Sequence, residues 1–247
     1  MESYGEYCPI AVGVEVFGDR WTPLVLRELM IGCVRFNDIH RGLPRMNRTL
    51  LTQRLRSLER RGLIERVTVN GNGAEYHLTE AGRSLQPVVW ALGRWAAEWA
   101  FGDPEDDQLD ASWLVWRLHQ HVIDDKLPDN RTVVEFVLTG IGGGRAWLVL
   151  DRGSSTACLI DPGYDVDLVV HGDNRELHRW LVGVTPFRNV TAKGHARIIG
   201  PSRLARAFPT WFDTSMFGEE PSAAQPKRRK PPGRAATPLR AGADRRG

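Results

Sequence analysis

Thr49, Thr52, Gln53 and Arg56 carry hydroxyl, amide and guanidinium groups at a spacing that sets them on one side of a helix. Such groups pair with base edges in the major groove of a duplex, while flanking arginines hold phosphates. Arg48 opens the same run, and the stretch 35–66 holds nine arginines against three acids, Asp38, Glu59 and Glu65. A basic amphipathic helix that only faces solvent has the same charge, so the surroundings must decide between the two readings.

Other chemistry-bearing residues assemble into nothing comparable. Gly140 to Gly144 resembles a phosphate loop, but it precedes a predicted strand at Trp147 where a helix N-terminus is required. His119 and His121 lie two apart on a predicted helix and point in different directions, so they cannot jointly ligate one metal. His171, His178 and His195 have no neighbouring nucleophile or paired acid. The expectation is a chain that is not an enzyme and needs no cofactor or metal.

The polar face is positioned by Leu51, Leu55 and Leu58 on the opposite side of the same helix. Before it, Phe36, Ile39 and Leu43 form one stripe that Gly42 and Pro44 terminate, and Asn47 can cap the next helix. Two short helices joined by about four residues, the second basic, make a helix-turn-helix pattern. After Gly62, strands are expected at Leu63 to Val69 and Ala74 to Leu78, joined through Asn70-Gly71-Asn72-Gly73. That hairpin is either a wing, with Arg66 and Asn70 reaching the duplex, or a plain surface hairpin. Upstream, helices are expected at Pro9 to Phe17 and Pro23 to Met30, the second capped by Thr22. Downstream, Thr79 can cap one long helix whose seam of Leu85, Val88, Leu92, Trp95 and Trp99 either pairs with a second copy or packs inside its own chain.

The segments Cys8-Pro9-Ile10, Phe17 to Thr22, Leu26 to Leu29, Arg35 to Ile39, Leu51 to Leu55, Leu58-Glu59, Gly62-Leu63 and Tyr76 to Arg83 resemble the HxlR-type winged helix-turn-helix transcriptional regulators over about residues 8–99. The resemblance implies a dimeric bacterial transcription factor whose second motif helix, about Arg48 to Arg60, lies in the major groove. Asn47-Arg48 departs from the family pattern, which often has Ser-Pro at that helix start. In some similar regulators a cysteine at the place of Cys8 senses oxidants; the helix that begins at Pro9 favours a thiolate there, whereas Glu6 opposes it. The alternative is an inert cysteine.

Charge divides unevenly along the 247 residues: residues 1–100 carry 13 basic and 11 acidic side chains, 101–218 carry 12 and 16, and 219–247 carry 8 and 3. An acidic middle argues against a second DNA-binding surface. Three cysteines, Cys8, Cys33 and Cys158, make no disulfide framework or metal spacing, and no apolar run approaches the ~20 residues of a membrane span, so a cytoplasmic protein without a membrane partner is expected. The acidic break at Gly102 to Asp107 sets the boundaries: residues 1–101 for DNA binding and dimerisation, 108–218 for a second domain, and 219–247, with Lys227-Arg228-Arg229-Lys230, for a disordered basic tail that is either an electrostatic arm or a dispensable extension.

The second domain reads as α+β: a helix capped by Asp110, strands at Thr132 to Thr139, Ala146 to Leu150, Thr156 to Ile160 and Val166 to Val170 in an antiparallel meander, a helix after Asp173, a strand at Gly194 to Ile199 and a helix from Pro201 or Ser202 to Phe212. Residues Trp147 to Asp151, Asp165 to Val170 and Gly194 to Gly200 carry a resemblance to the sterol-carrier-protein-type domain over about 130–212, implying a mostly antiparallel sheet and helices around an apolar cavity. Trp113, Trp116, Trp147, Trp180, Phe187, Phe208, Trp211 and Phe212 either line that cavity or are core.

Together these readings describe a mixed chain, a winged helix-turn-helix followed by an α+β domain. It would repress transcription as a homodimer on an inverted-repeat operator in double-stranded DNA, answering a hydrophobic small-molecule effector. The alternative is a lipid carrier or enzyme in the second half whose expression the first half controls.

Overall fold

A computed structural model describes residues 4–69 and 73–214. Four helices come first: α1 (Pro9–Phe17), α2 (Thr22–Met30), α3 (Phe36–Gly42) and α4 (Arg48–Arg60). A hairpin follows, β1 (Ile64–Val69) antiparallel to β2 (Gly73–Leu78), and then α5 (Glu80–Ser84) and α6 (Gln86–Trp99). Val25, Leu26 and Leu29 of α2, Ile39 of α3, and Leu51, Leu55 and Leu58 of α4 are buried together, which fixes the stack of three helices beneath the hairpin.

Local chemistry explains most ends. The Asn47 side chain accepts from the Leu50 amide at 2.8 Å and starts α4, and Gly62, at φ 69°, ends the turn after it. Two expectations are corrected. Thr22 is not the cap of α2 but its first residue; Trp21 precedes it in a left-handed conformation, φ 81°. The long helix after Thr79 is two helices, because Pro87 in the first turn of α6 cannot donate the amide bond that would continue α5.

The second half comprises α7 (Ala111–Gln120), β3 (Thr132–Thr139), β4 (Gly144–Leu150), β5 (Thr156–Cys158), β6 (Leu168–Asp173), α8 (Asn174–Leu181), α9 (Phe187–Ala192), β7 (Ala196–Ile199) and α10 (Ser202–Ala207), closed by a short 3-10 turn over Phe208–Trp211. The sheet is mixed, in the order β5-β4-β3-β6-β7. Every neighbouring pair is antiparallel except β3 and β6, which run parallel with Val134 opposite Leu168. This corrects the four-strand meander: after β5 the chain passes β4 and β3 before it pairs. The strand expected at Thr156 to Ile160 stops at Cys158, leaving Leu159 and Ile160 exposed, and the helix expected to reach Phe212 tightens where Pro209 interrupts it. Helix α9 was not anticipated.

Phe136, Leu148, Leu168, Val170, Leu177 and Trp180 belong to the apolar core, which is continuous with that of the first half. Among the described residues no helix is long and apolar enough to cross a membrane, and no group of side chains is arranged to hold a metal. The basic tail falls outside the described residues.

Candidate nucleic-acid interface

Helix α4 turns its leucines inward and its polar row outward. Leu51, Leu55 and Leu58 are at most 1% exposed, whereas Thr49, Gln53 and Arg56 stand in solvent. Thr52 is half-buried and donates to the Arg48 carbonyl at 2.9 Å, which ties its hydroxyl back to the helix. Arg56, Arg60 and Arg61 on or beside α4, and Arg66 on β1, are exposed, and their guanidinium groups make no hydrogen bond or ion pair among the described residues. Unpaired arginines along one helix and the neighbouring strand form a positive surface of the kind that neutralises phosphates.

Arg48 differs from the rest. Its guanidinium donates to Asn37 Oδ1 at 2.8 Å and lies over the Phe36 ring at 4.8 Å, so it fastens α4 to α3 instead of projecting freely. Arg54 turns the other way and pairs with Asp19 at 2.8 Å, tying α4 to the α1–α2 junction. The hairpin is tied in too, because Arg35 meets Glu75 of β2 at 3.3 Å. Asn70 lies outside the described residues.

Away from α4 in the chain, Val88, Leu92, Trp95 and Trp99 of α6 are 47–66% exposed, with Leu85 half-buried. Ile10, Val12 and Val14 of α1, and Tyr7 before it, are exposed as well. Cys8 is half-buried at the N-cap of α1, its thiol free and making no capping bond.

The aromatic residues proposed from sequence as ligand contacts fall in three places. Trp180, Phe187, Phe208 and Trp211 pack with Phe136 and Phe212, ring centroids 4.8–6.1 Å apart. Trp147 lies on the other face of the sheet, beneath Arg145, which is paired with Glu135. Trp113 and Trp116 face the first half: the Trp113 indole donates to the Gly42 carbonyl at 3.3 Å, and Arg41 lies 4.6 Å over Trp116.

Sequence reasoning missed a buried charge cluster between the halves. Glu28 of α2, wholly buried, accepts from Arg117 of α7 at 2.6 and 3.1 Å and from Arg27 at 2.6 Å. Burial opposes its ionisation, but the charges of Arg27 and Arg117 outweigh that and hold the carboxyl below its ordinary pKa. Cys33 stands beside it; burial and then the Glu28 charge push the thiol up to about 12. A signal existed, since Glu28 shares the stripe of Val25 and Leu29, and Arg117 that of Leu114 and Leu118.

The HxlR-like helix-turn-helix family matches residues 16–103. YvaP of Bacillus subtilis (strain 168), an uncharacterised HTH-type transcriptional regulator, is 33% identical over 97 residues, 38% of this chain and 90% of that protein. An uncharacterised HTH-type transcriptional regulator of Methanothermobacter thermautotrophicus is 40% identical over 90 residues, 36% of this chain and 69% of that protein. Among solved structures, the reduced form of the transcriptional regulator YodB from B. subtilis shares 31% identity across 38% of this chain and 96% of that one, with a TM-score of 0.35. With its helix-turn-helix, its paired hairpin and the sequence identity to YvaP, the chain belongs to the HxlR-like helix-turn-helix family of transcriptional regulators through its amino-terminal region.

Proposed function

We propose that the protein is a ligand-responsive repressor that binds an inverted-repeat operator as a homodimer, with α4 in the major groove. The observation that carries this reading is the exposed row of Thr49, Gln53 and Arg56 on a helix whose leucines are anchored in the core. Thr52 adds a contact at the edge of that row, exposed Arg66 of β1 reaches the flanking backbone, and Arg48 contributes by holding α4 to α3. Exposed Val88, Leu92, Trp95 and Trp99, with the apolar face of α1, form the two-fold contact that sets the spacing of the reading helices.

The second half, a sterol-carrier-like domain in this reading, takes a hydrophobic effector. What supports this is the element order of helix, four strands, helices and a last strand, together with the ring cluster around Phe208, where the buried Trp211 indole N–H meets no acceptor.

The test is a gel shift across a salt series on the DNA upstream of the gene, comparing wild type with Arg56→Ala and Thr52→Ala. Arg56→Ala should weaken binding and reduce the salt slope by about 1 if it neutralises a phosphate; unchanged binding in both variants would remove α4 from the groove. The same domain resemblance favours a second reading, a carrier or enzyme for hydrophobic molecules. Native mass spectrometry separates the two: a co-purified lipid that is turned over or handed to vesicles supports the second, and release of DNA on adding that lipid supports the first.

A further inference from the structure

The contacts between the halves gather on Glu28 of α2 and neighbouring Cys33, the end of α3 and the turn that leads into α4. Arg117, 4% exposed, donates to both Glu28 oxygens, to the Gly42 carbonyl at 2.8 Å and to Gln120 at 2.7 Å. Trp113 donates to the same Gly42 carbonyl, and the Arg117 guanidinium lies 5.1 Å from the Trp113 ring centroid. Arg41 covers Trp116, and Arg45, inside the turn, pairs with Asp107 at 3.1 Å.

The last carbonyls of a helix have no partner within it, and α3 has its final one filled from the other half of the molecule. Arginine suits the task, because a planar fork can hold a carboxylate and a carbonyl at once. Withdrawing it would leave buried Glu28 of α2 with Arg27 alone and the Gly42 carbonyl short of a donor, so a shift of α7 is coupled to α2 and to the end of α3. None of these bonds reaches α4, whose polar row stays open. The path therefore runs from α7 to the angle between the two motif helices and spares the reading surface.

We infer that Arg117, with Trp113, is a positioning residue for DNA reading: the second half sets the tilt of α4 by gripping the end of α3. This rests on α4 being the reading helix, and it makes α7 the element through which a change in the second half would alter operator affinity.

The test uses the full chain and a fluorescent duplex enriched by the wild-type protein from a randomised library. Anisotropy titrations, corrected for the active fraction, compare wild type, Arg117→Met, Arg117→Lys and Trp113→Phe, with thermal melts alongside. Arg117→Met should bind about 2- to 30-fold more weakly with an unchanged salt slope, since no phosphate contact is lost. Arg117→Lys should fall between it and wild type, and Trp113→Phe, which keeps an aromatic ring of smaller size but removes the indole donor, should lose affinity in the same direction. Melting temperatures that fall while active protein binds with wild-type affinity would reduce these residues to plain scaffolding and overturn the inference. If Arg117→Met gives no cooperative melt, Trp113→Phe decides by the same criterion. Wild-type affinity in Arg56→Ala and Thr52→Ala would overturn the reading helix, and the positioning role with it. Wild-type affinity confined to the Arg117 and Trp113 variants would overturn only the latter.

Discussion

At Glu28 and His178 the protonation states of single side chains are tied to the folded state in opposite chemical senses. Glu28 is held ionised, against the cost of burial, by Arg27 and Arg117. Its depressed pKa contributes stability above the ordinary value of 4.5, lost as pH falls through the folded value. His178 stacks on Trp113, and burial, partly offset by its bond to the Asn174 carbonyl, lowers its pKa below 6.5. It is neutral when folded, so its contribution is present above 6.5 and is lost as pH falls; His121, lowered by burial, adds to it. Urea denaturation across pH should show two stages, one below 6.5 that His178→Phe reduces and one below 4.5 that Glu28→Gln removes. A stability profile flat between neutrality and pH 4.5 would contradict the His178 assignment, and one flat below 4.5 would contradict that of Glu28. Cys33, pushed up to about 12, should resist iodoacetamide in the folded chain while half-exposed Cys8 and Cys158 react; mass spectrometry of the alkylated protein reads this directly.

Among the elements, α4 shows what sequence makes legible. The spacing of Leu51, Leu55 and Leu58 and the cap at Asn47 placed both its ends and its faces, because those signals act within one turn of helix. Leu55→Ala should cost about 2–5 kcal/mol in denaturant unfolding, as for a fully buried leucine. Gly82 is a second tight place: a Cβ there would lie 2.0 Å from the Leu63 carbonyl oxygen, so Gly82→Ala should destabilise by about 1–3 kcal/mol through a forced shift of α5 from the turn after α4. A melting temperature equal to wild type would show that α5 yields freely. Strand β6 marks the limit of legibility. The turn residues Asp161-Pro162-Gly163 tell where the chain bends but not which neighbour it reaches, and the parallel pairing of Val134 with Leu168 depends on contacts far apart in sequence. The Arg48 contact with Asn37 was equally hidden, since an exposed arginine and an arginine folded back on the preceding helix look alike in sequence.

For the molecule as a whole, the exposed apolar residues of α1 and α6 bear on assembly. Trp95→Glu combined with Trp99→Glu should convert a dimer to single chains in sedimentation velocity and abolish preference for paired half-sites. A sedimentation coefficient equal to wild type would contradict the proposed two-fold contact through α1 and α6. The DNA-facing half was readable because its signals are local and dense, whereas the joint between halves depends on Glu28 and Arg117, which stand 89 positions apart. That joint also bears on modularity. A chain truncated after Phe101 would leave Glu28 with Arg27 but without Arg117, and would open the Gly42 carbonyl and the neighbouring apolar side chains to water. The first hundred residues are therefore not an interchangeable cassette: transplanted onto another effector module they would need a replacement cation at the foot of α3, and chimeras lacking one should be recovered as insoluble or weakly folded protein.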